Sequence, residues 1–250
     1  MGKRMRVCMF CQGKASTRED VWPSWLTRRA PVSGTARIYA ERRELNLGSW
    51  PIKQPKLLVK WLCRSCNNGW MSRLESEAKP VIESILDDTL DNLDASAQMT
   101  LAVWAAKTAM VLEAVDSDRT WFYSEDERNL MRVARVIPVR TSIWIAKCVD
   151  QSSVYSAAEN LRTTLDDDGI HAYATTMAFG SLAIQVVTIR TPVMIPAGVA
   201  VTYDVSEGPW DQTLVQVWPI TQASQLWPPK HGLVGELGLD ALTKRLGPSM

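Results

Sequence analysis

Two C-x-x-C pairs, Cys8-Met9-Phe10-Cys11 and Cys63-Arg64-Ser65-Cys66, constrain this chain more than any other feature. A C-x-x-C turn sets two thiolates on one side of a tight knuckle. Two knuckles complete a tetrahedron around one zinc ion, with each sulfur about 2.3 Å from it. Fifty-one residues separate the pairs, more than a compact zinc ribbon holds, so an insert stands between the knuckles. Five cysteines in 250 residues are too few for a disulfide scaffold. A redox reading needs only one C-x-x-C in a thioredoxin-like βαβ setting, and none is legible. Structural zinc held by Cys8, Cys11, Cys63 and Cys66 is therefore the expectation. Cys148 falls in a mostly apolar run, Ile143 to Val149, and reads as a buried free thiol.

Charge is distributed unevenly along the chain. The formal net charge is +1, but residues 1–80 carry sixteen Lys and Arg against six Asp and Glu, while the remainder is acidic. A basic front suggests a polyanionic partner, nucleic acid and DNA first; mutual attraction of the two halves is the simpler alternative. No secretory signal opens the chain, because Cys8 and Gln12 stand where an apolar core would be. The longest uncharged stretch, Ala172 to Ile189, is broken by Thr, Gly, Ser and Gln and reads as two strands rather than a membrane span. A cytoplasmic protein without a membrane partner is expected; the oligomeric state is not legible.

Periodicity predicts an α+β chain. Lys56 to Leu62 alternates as a strand, and Met71, Leu74, Ala78, Ile82 and Ile85 share one helical face, with Pro80 a candidate kink. A second helix is predicted from Ala95 to Val115, with Leu101, Trp104, Ala105, Val111 and Leu112 turned inward beside Thr108. A third begins at Ser124, where Glu127 completes a capping box. Beyond residue 140 the expected strands are Thr141–Val149, Ile170–Phe179, Leu182–Thr191, Val199–Val205 and Thr213–Ile220, joined by short turns into an antiparallel sheet. A last helix is predicted at Leu237–Leu246. The division expected is a zinc-bound module over residues 1–88 and an α+β domain over 89–250.

Between the knuckles stands Glu19-Asp20-Val21-Trp22-Pro23-Ser24-Trp25-Leu26, and after the second comes Asn67-Asn68-Gly69-Trp70-Met71. This combination, over about residues 8–80, resembles the HNH-type nucleases of the ββα-metal superfamily, in the four-cysteine layout of the endonuclease VII type. The resemblance implies a treble-clef-like ββα-metal module and hydrolysis of nucleic-acid phosphodiesters. Glu19 and Asn67 would hold a catalytic Mg2+ or Mn2+, a hard cation that takes oxygen donors. The family has a histidine base where this chain has Asp20, whose ordinary pKa of about 3.9 makes it far weaker than imidazole. Asp20 is thus a candidate base or second metal ligand, or the mark of an impaired enzyme. The two histidines, His171 and His231, are distant in sequence.

Arg28, Arg29, Arg42, Arg43, Arg64 and Arg73, with Lys53 and Lys56, are candidates for phosphate contact; only the cluster carries weight, since any one is more often a solvated charge. Trp22, Trp25 and Trp70 read as core, and Trp50 as the ring best placed to stack on a base. Glu75, about two turns past Asn67 on a regular helix, is expected to lie too far away to share its metal. Three function classes follow: a metal-dependent endonuclease, a zinc-stabilised nucleic-acid binder without hydrolysis, and a protein-interaction module in which zinc is architectural.

Overall fold

The computed structural model describes residues 6–29, 57–115, 121–149, 155–161, 172–190 and 210–245, with short strand pieces at 35–36, 39–40 and 50–51. The predicted strand Val199–Val205, Arg42, Arg43, Lys53, Lys56, His171 and the side chain of Trp50 lie outside the described residues.

An antiparallel ribbon opens the fold, pairing β1 (Thr17–Asp20) with β2 (Leu58–Leu62). Val59 and Leu62 face inward from β2 and Leu58 and Lys60 face water, the alternation a half-buried strand requires. Helix α1 (Ser24–Arg29) follows β1. After the second knuckle, Cys66–Met71 winds as a wide π-type turn that departs from helical geometry at Gly69. It leads into α2 (Ser72–Leu86), which buries Leu74, Ala78, Ile82 and Ile85 along one stripe. α2 runs through Pro80, which lies on its exposed side.

The centre of the molecule is α3 (Ala95–Glu113), capped by the Asp94 carboxylate accepting from the Ala97 N–H at 2.7 Å. Every residue from Leu101 to Glu113 is buried. An α-helix apolar on all sides belongs inside a core. The expected inward face is therefore buried together with the rest of the helix. Next comes α4 (Glu125–Ala134), whose start carries the predicted capping box between Ser124 and Glu127.

The sheet is built from β3 (Thr141–Val149), β4 (Tyr155–Leu161), β5 (Ala172–Phe179), β6 (Leu182–Ile189) and β7 (Val215–Trp218), in the order β7-β3-β6-β5-β4 with antiparallel pairing throughout. Two short pieces extend it in parallel, Tyr39–Ala40 on β4 and Leu233–Val234 on β3. β5 and β6 are buried on both faces because both are covered. α3 contacts one face, and the other takes Leu239 and Leu242 of α6 (Gly235–Lys244). A short helix, α5 (Trp210–Thr213), precedes β7. Among the described residues the architecture is α+β with six helices and antiparallel sheets.

One hydrophobic core runs from the cysteine knuckles through α2 and α3 to the sheet. Trp22, from the segment after β1, meets Phe179 of β5 at 5.7 Å between ring centroids, and Trp104 of α3 meets the same ring edge-on at 5.9 Å. Among the described residues no helix is long and apolar enough to cross a membrane.

Candidate metal centre and adjoining carboxylate site

The four knuckle cysteines come together as their spacing requires. Their sulfurs all lie within 4.8 Å of one another, and Cys11 Sγ and Cys63 Sγ are 3.5 Å apart. All four are free thiols; Cys8, Cys63 and Cys66 are buried and Cys11 is partly so. The Cys8 N–H donates to the Gly13 carbonyl at 2.6 Å, closing the first knuckle, and the Cys66 N–H points at Cys63 Sγ at 3.4 Å in the second. Crowding divides the thiols: a hydrogen bond from Cys66 lowers Cys8 to about 4, and the same contact raises Cys66. Four converging sulfurs, one readily ionised, form a donor set that could hold a metal such as zinc.

Apolar packing seats this cluster. Phe10, inside the first knuckle, meets Trp70 edge-on at 5.0 Å, and both are buried. The Met9 N–H donates to the Trp61 carbonyl at 2.9 Å, joining the knuckle to β2. Trp22 and Trp70 are core residues, as expected, and Trp25 is half-buried beneath Lys79.

Beside the cluster, Glu19 and Asn67 meet. Glu19 projects half-buried from β1, and the Asn67 side chain hydrogen-bonds its carboxylate from the turn after Cys66. The Asn67 N–H is fixed in turn by the Cys63 carbonyl at 3.0 Å, so the second knuckle itself positions Asn67. Burial raises the Glu19 pKa most, and the neighbouring charge of Glu75 raises it further; Asn67 and Lys107 oppose the shift. A carboxylate in that setting is short of positive charge.

Asp20 is placed differently. Its Oδ1 accepts from the Leu57 N–H at 3.1 Å and from the Trp22 N–H at 3.4 Å, bridging the ends of the β1–β2 ribbon. Of the groups acting on Glu19, Asp20 contributes least to its shift.

Glu75 corrects an expectation. The break at Gly69 means Asn67 and Glu75 do not share one regular helix, and Glu75 is the strongest electrostatic neighbour of Glu19. Glu75 also pairs with Lys107 of α3, Nζ to Oε1 at 3.2 Å. Lys107 was overlooked, although it is the single charged residue in the run 95–112, a signal that it has an interior partner.

The basic candidates divide. Arg28, Arg64 and Arg73 are exposed. Arg29 is engaged by α2, with Nη1 2.6 Å from Asp87 and Nε 3.3 Å from Glu83. His231, the one histidine among the described residues, is exposed in the segment after β7. Cys148 is the buried free thiol expected, and burial pushes its pKa up to about 12.

No family model, curated protein or solved structure matches the chain. Fold and site together define an α+β chain with a four-cysteine centre able to hold a metal such as zinc.

Proposed function

We propose that this chain is an HNH-like, metal-dependent endonuclease that hydrolyses nucleic-acid phosphodiesters, with zinc as the structural ion of the four-cysteine centre. The observation carrying this reading is the meeting of Glu19 with Asn67 beside the cysteine cluster. Those are the two residues that the family resemblance assigns to the catalytic cation, and their oxygens suit Mg2+ or Mn2+. The cation, when bound, would withdraw charge from the scissile phosphate and the leaving 3′ oxygen. Glu19 supplies the ionised oxygen, and Asn67 both orients Glu19 and offers its amide oxygen. Asp20 holds the ribbon that carries Glu19, through its bonds to Leu57 and Trp22. Arg28, Arg64 and Arg73 are free to meet backbone phosphates of DNA.

A second reading is a zinc-stabilised nucleic-acid binder that does not cleave. It is favoured by Asp20, which stands at the family's histidine position with one carboxylate oxygen already bound to backbone. Incubation of supercoiled plasmid and single-stranded DNA with Mg2+ or Mn2+ separates the two. Wild-type protein is expected to cut, and Glu19→Gln to lower the rate by at least about 10–100-fold. Asp20→His is expected to raise it, because imidazole accepts a proton near neutrality. Salt-sensitive DNA binding without cleavage by any of these proteins would establish the second reading instead.

A further inference from the structure

Lys107 occupies an unusual place for an ammonium group. It lies in the second half of α3, its side chain is 2% exposed, and its Nζ sits 5.7 Å from the centroid of the Trp104 ring. Its ion pair with Glu75 does not by itself account for it, since buried pairs are often no more stabilising than apolar residues of similar volume. What distinguishes the position is its neighbour. Glu75 acts on Glu19, and Lys107 acts on Glu19 with the opposite sign. Asn67, Glu19, Glu75 and Lys107 thus form a continuous polar chain from the second knuckle through β1 and α2 into α3. Two carboxylates and one ammonium leave a single negative charge.

We infer that Lys107 and Glu75 are positioning residues of the Glu19–Asn67 site, a buried ion pair that fixes the charge and setting of Glu19 for a divalent cation. The inference rests on the endonuclease reading and adds α3 to its machinery. Lys107 is too deeply buried to touch nucleic acid, so it acts through Glu75. A pair that served packing alone would change stability when altered. A pair that sets the field at Glu19 changes cation affinity as well, with a sign that depends on which partner is removed.

The test is Mn2+ affinity of the full-length, zinc-loaded protein, measured by the electron paramagnetic resonance of free Mn2+, with urea unfolding in parallel. Glu75→Gln leaves the ammonium beside Glu19 unopposed and is expected to weaken Mn2+ binding by about tenfold or more. Lys107→Met leaves the extra carboxylate and is expected to tighten it by a similar factor. The double variant restores the original net charge and is expected to return within about threefold of wild type. If Glu75→Gln does not fold, tighter binding by Lys107→Met than by the double variant still carries the inference. Equal affinity in every folded variant, with stability alone altered, would overturn it and leave the endonuclease reading standing. A wild-type protein that binds no Mn2+ would overturn both.

Discussion

Around Cys8 and Cys63 four sulfurs converge beneath a two-stranded ribbon, whereas β5 and β6, eight residues each, are buried on both faces between helices. The two regions solve one problem by different means. A ribbon of four and five residues has too little apolar surface to hold itself, and a bound metal supplies what packing lacks. The sheet needs no such aid, since its central strands are paired on both edges and covered on both faces. The polar site lies at the metal-held end, where Glu19 and Asn67 are brought together by backbone that the knuckles fix. What ties the ends together is specific. Trp22 and Trp104 share Phe179, and Arg128 of α4 donates from Nε to the Met9 carbonyl inside the first knuckle at 2.9 Å.

The largest expected effect comes from breaking the metal-held end. Cys63→Ser should leave the protein insoluble or lower its Tm severely, because a structural zinc contributes on the order of 10 kcal/mol to folding a segment of this kind. Elemental analysis of untreated wild type should find one zinc per chain. Less than about half an equivalent would remove the metal from the account.

Next in size is the shared core. Trp104→Ala should cost about 3–5 kcal/mol in urea unfolding, the range for emptying a large buried aromatic site. Unlike Cys63→Ser, it should leave the zinc content of the folded fraction unchanged, which sharpens the contrast between the regions.

A smaller effect is expected at the joint. The buried Arg128 guanidinium also donates to the Tyr123 carbonyl and stacks 4.7 Å from the centroid of Trp121, which in turn meets Trp61 of β2. Arg128→Met should cost about 1.5–3 kcal/mol by stranding these carbonyls. It should also speed chelator-driven zinc loss, which can be followed with a zinc-sensitive dye.

The smallest is a pH effect. Burial raises the Glu113 carboxyl from its ordinary 4.5 to about 7, against the pull of the Phe122 and Tyr123 N–H groups, Arg128 and Arg190. The folded state then keeps a proton that the unfolded state releases. Its contribution to stability is present below about 4.5 and lost as pH rises to about 7. Urea unfolding across that window should show a shallower fall in Glu113→Gln than in wild type. Equal slopes would mean Glu113 titrates normally.

The two ends also differed in how well the sequence announced them. The cysteine knuckles were legible because C-x-x-C spacing is chemistry that few other arrangements share. The capping box at Ser124 and strand β3 were legible because both are local patterns. Strand β4 was not: Tyr-Ser-Ala-Ala-Glu-Asn-Leu lacks β-branched residues and is held by pairing with β5 along its whole length. Helix α1, six residues long, is too short to show a period. At the site, the motif pointed to Glu19 and Asn67. Glu75 and Lys107 were hidden because their partnership depends on how α2 packs against α3, and on a break at Gly69 that no helical wheel contains.

The most direct test of the central claim is cleavage of supercoiled plasmid by zinc-loaded protein in Mn2+, compared with Glu19→Gln prepared identically and shown to retain its zinc. Metal-dependent nicking by wild type that falls by at least about 10–100-fold in the variant is the expected result. Equal nicking by both proteins, or none by either under any divalent cation, would contradict a catalytic site at Glu19 and Asn67.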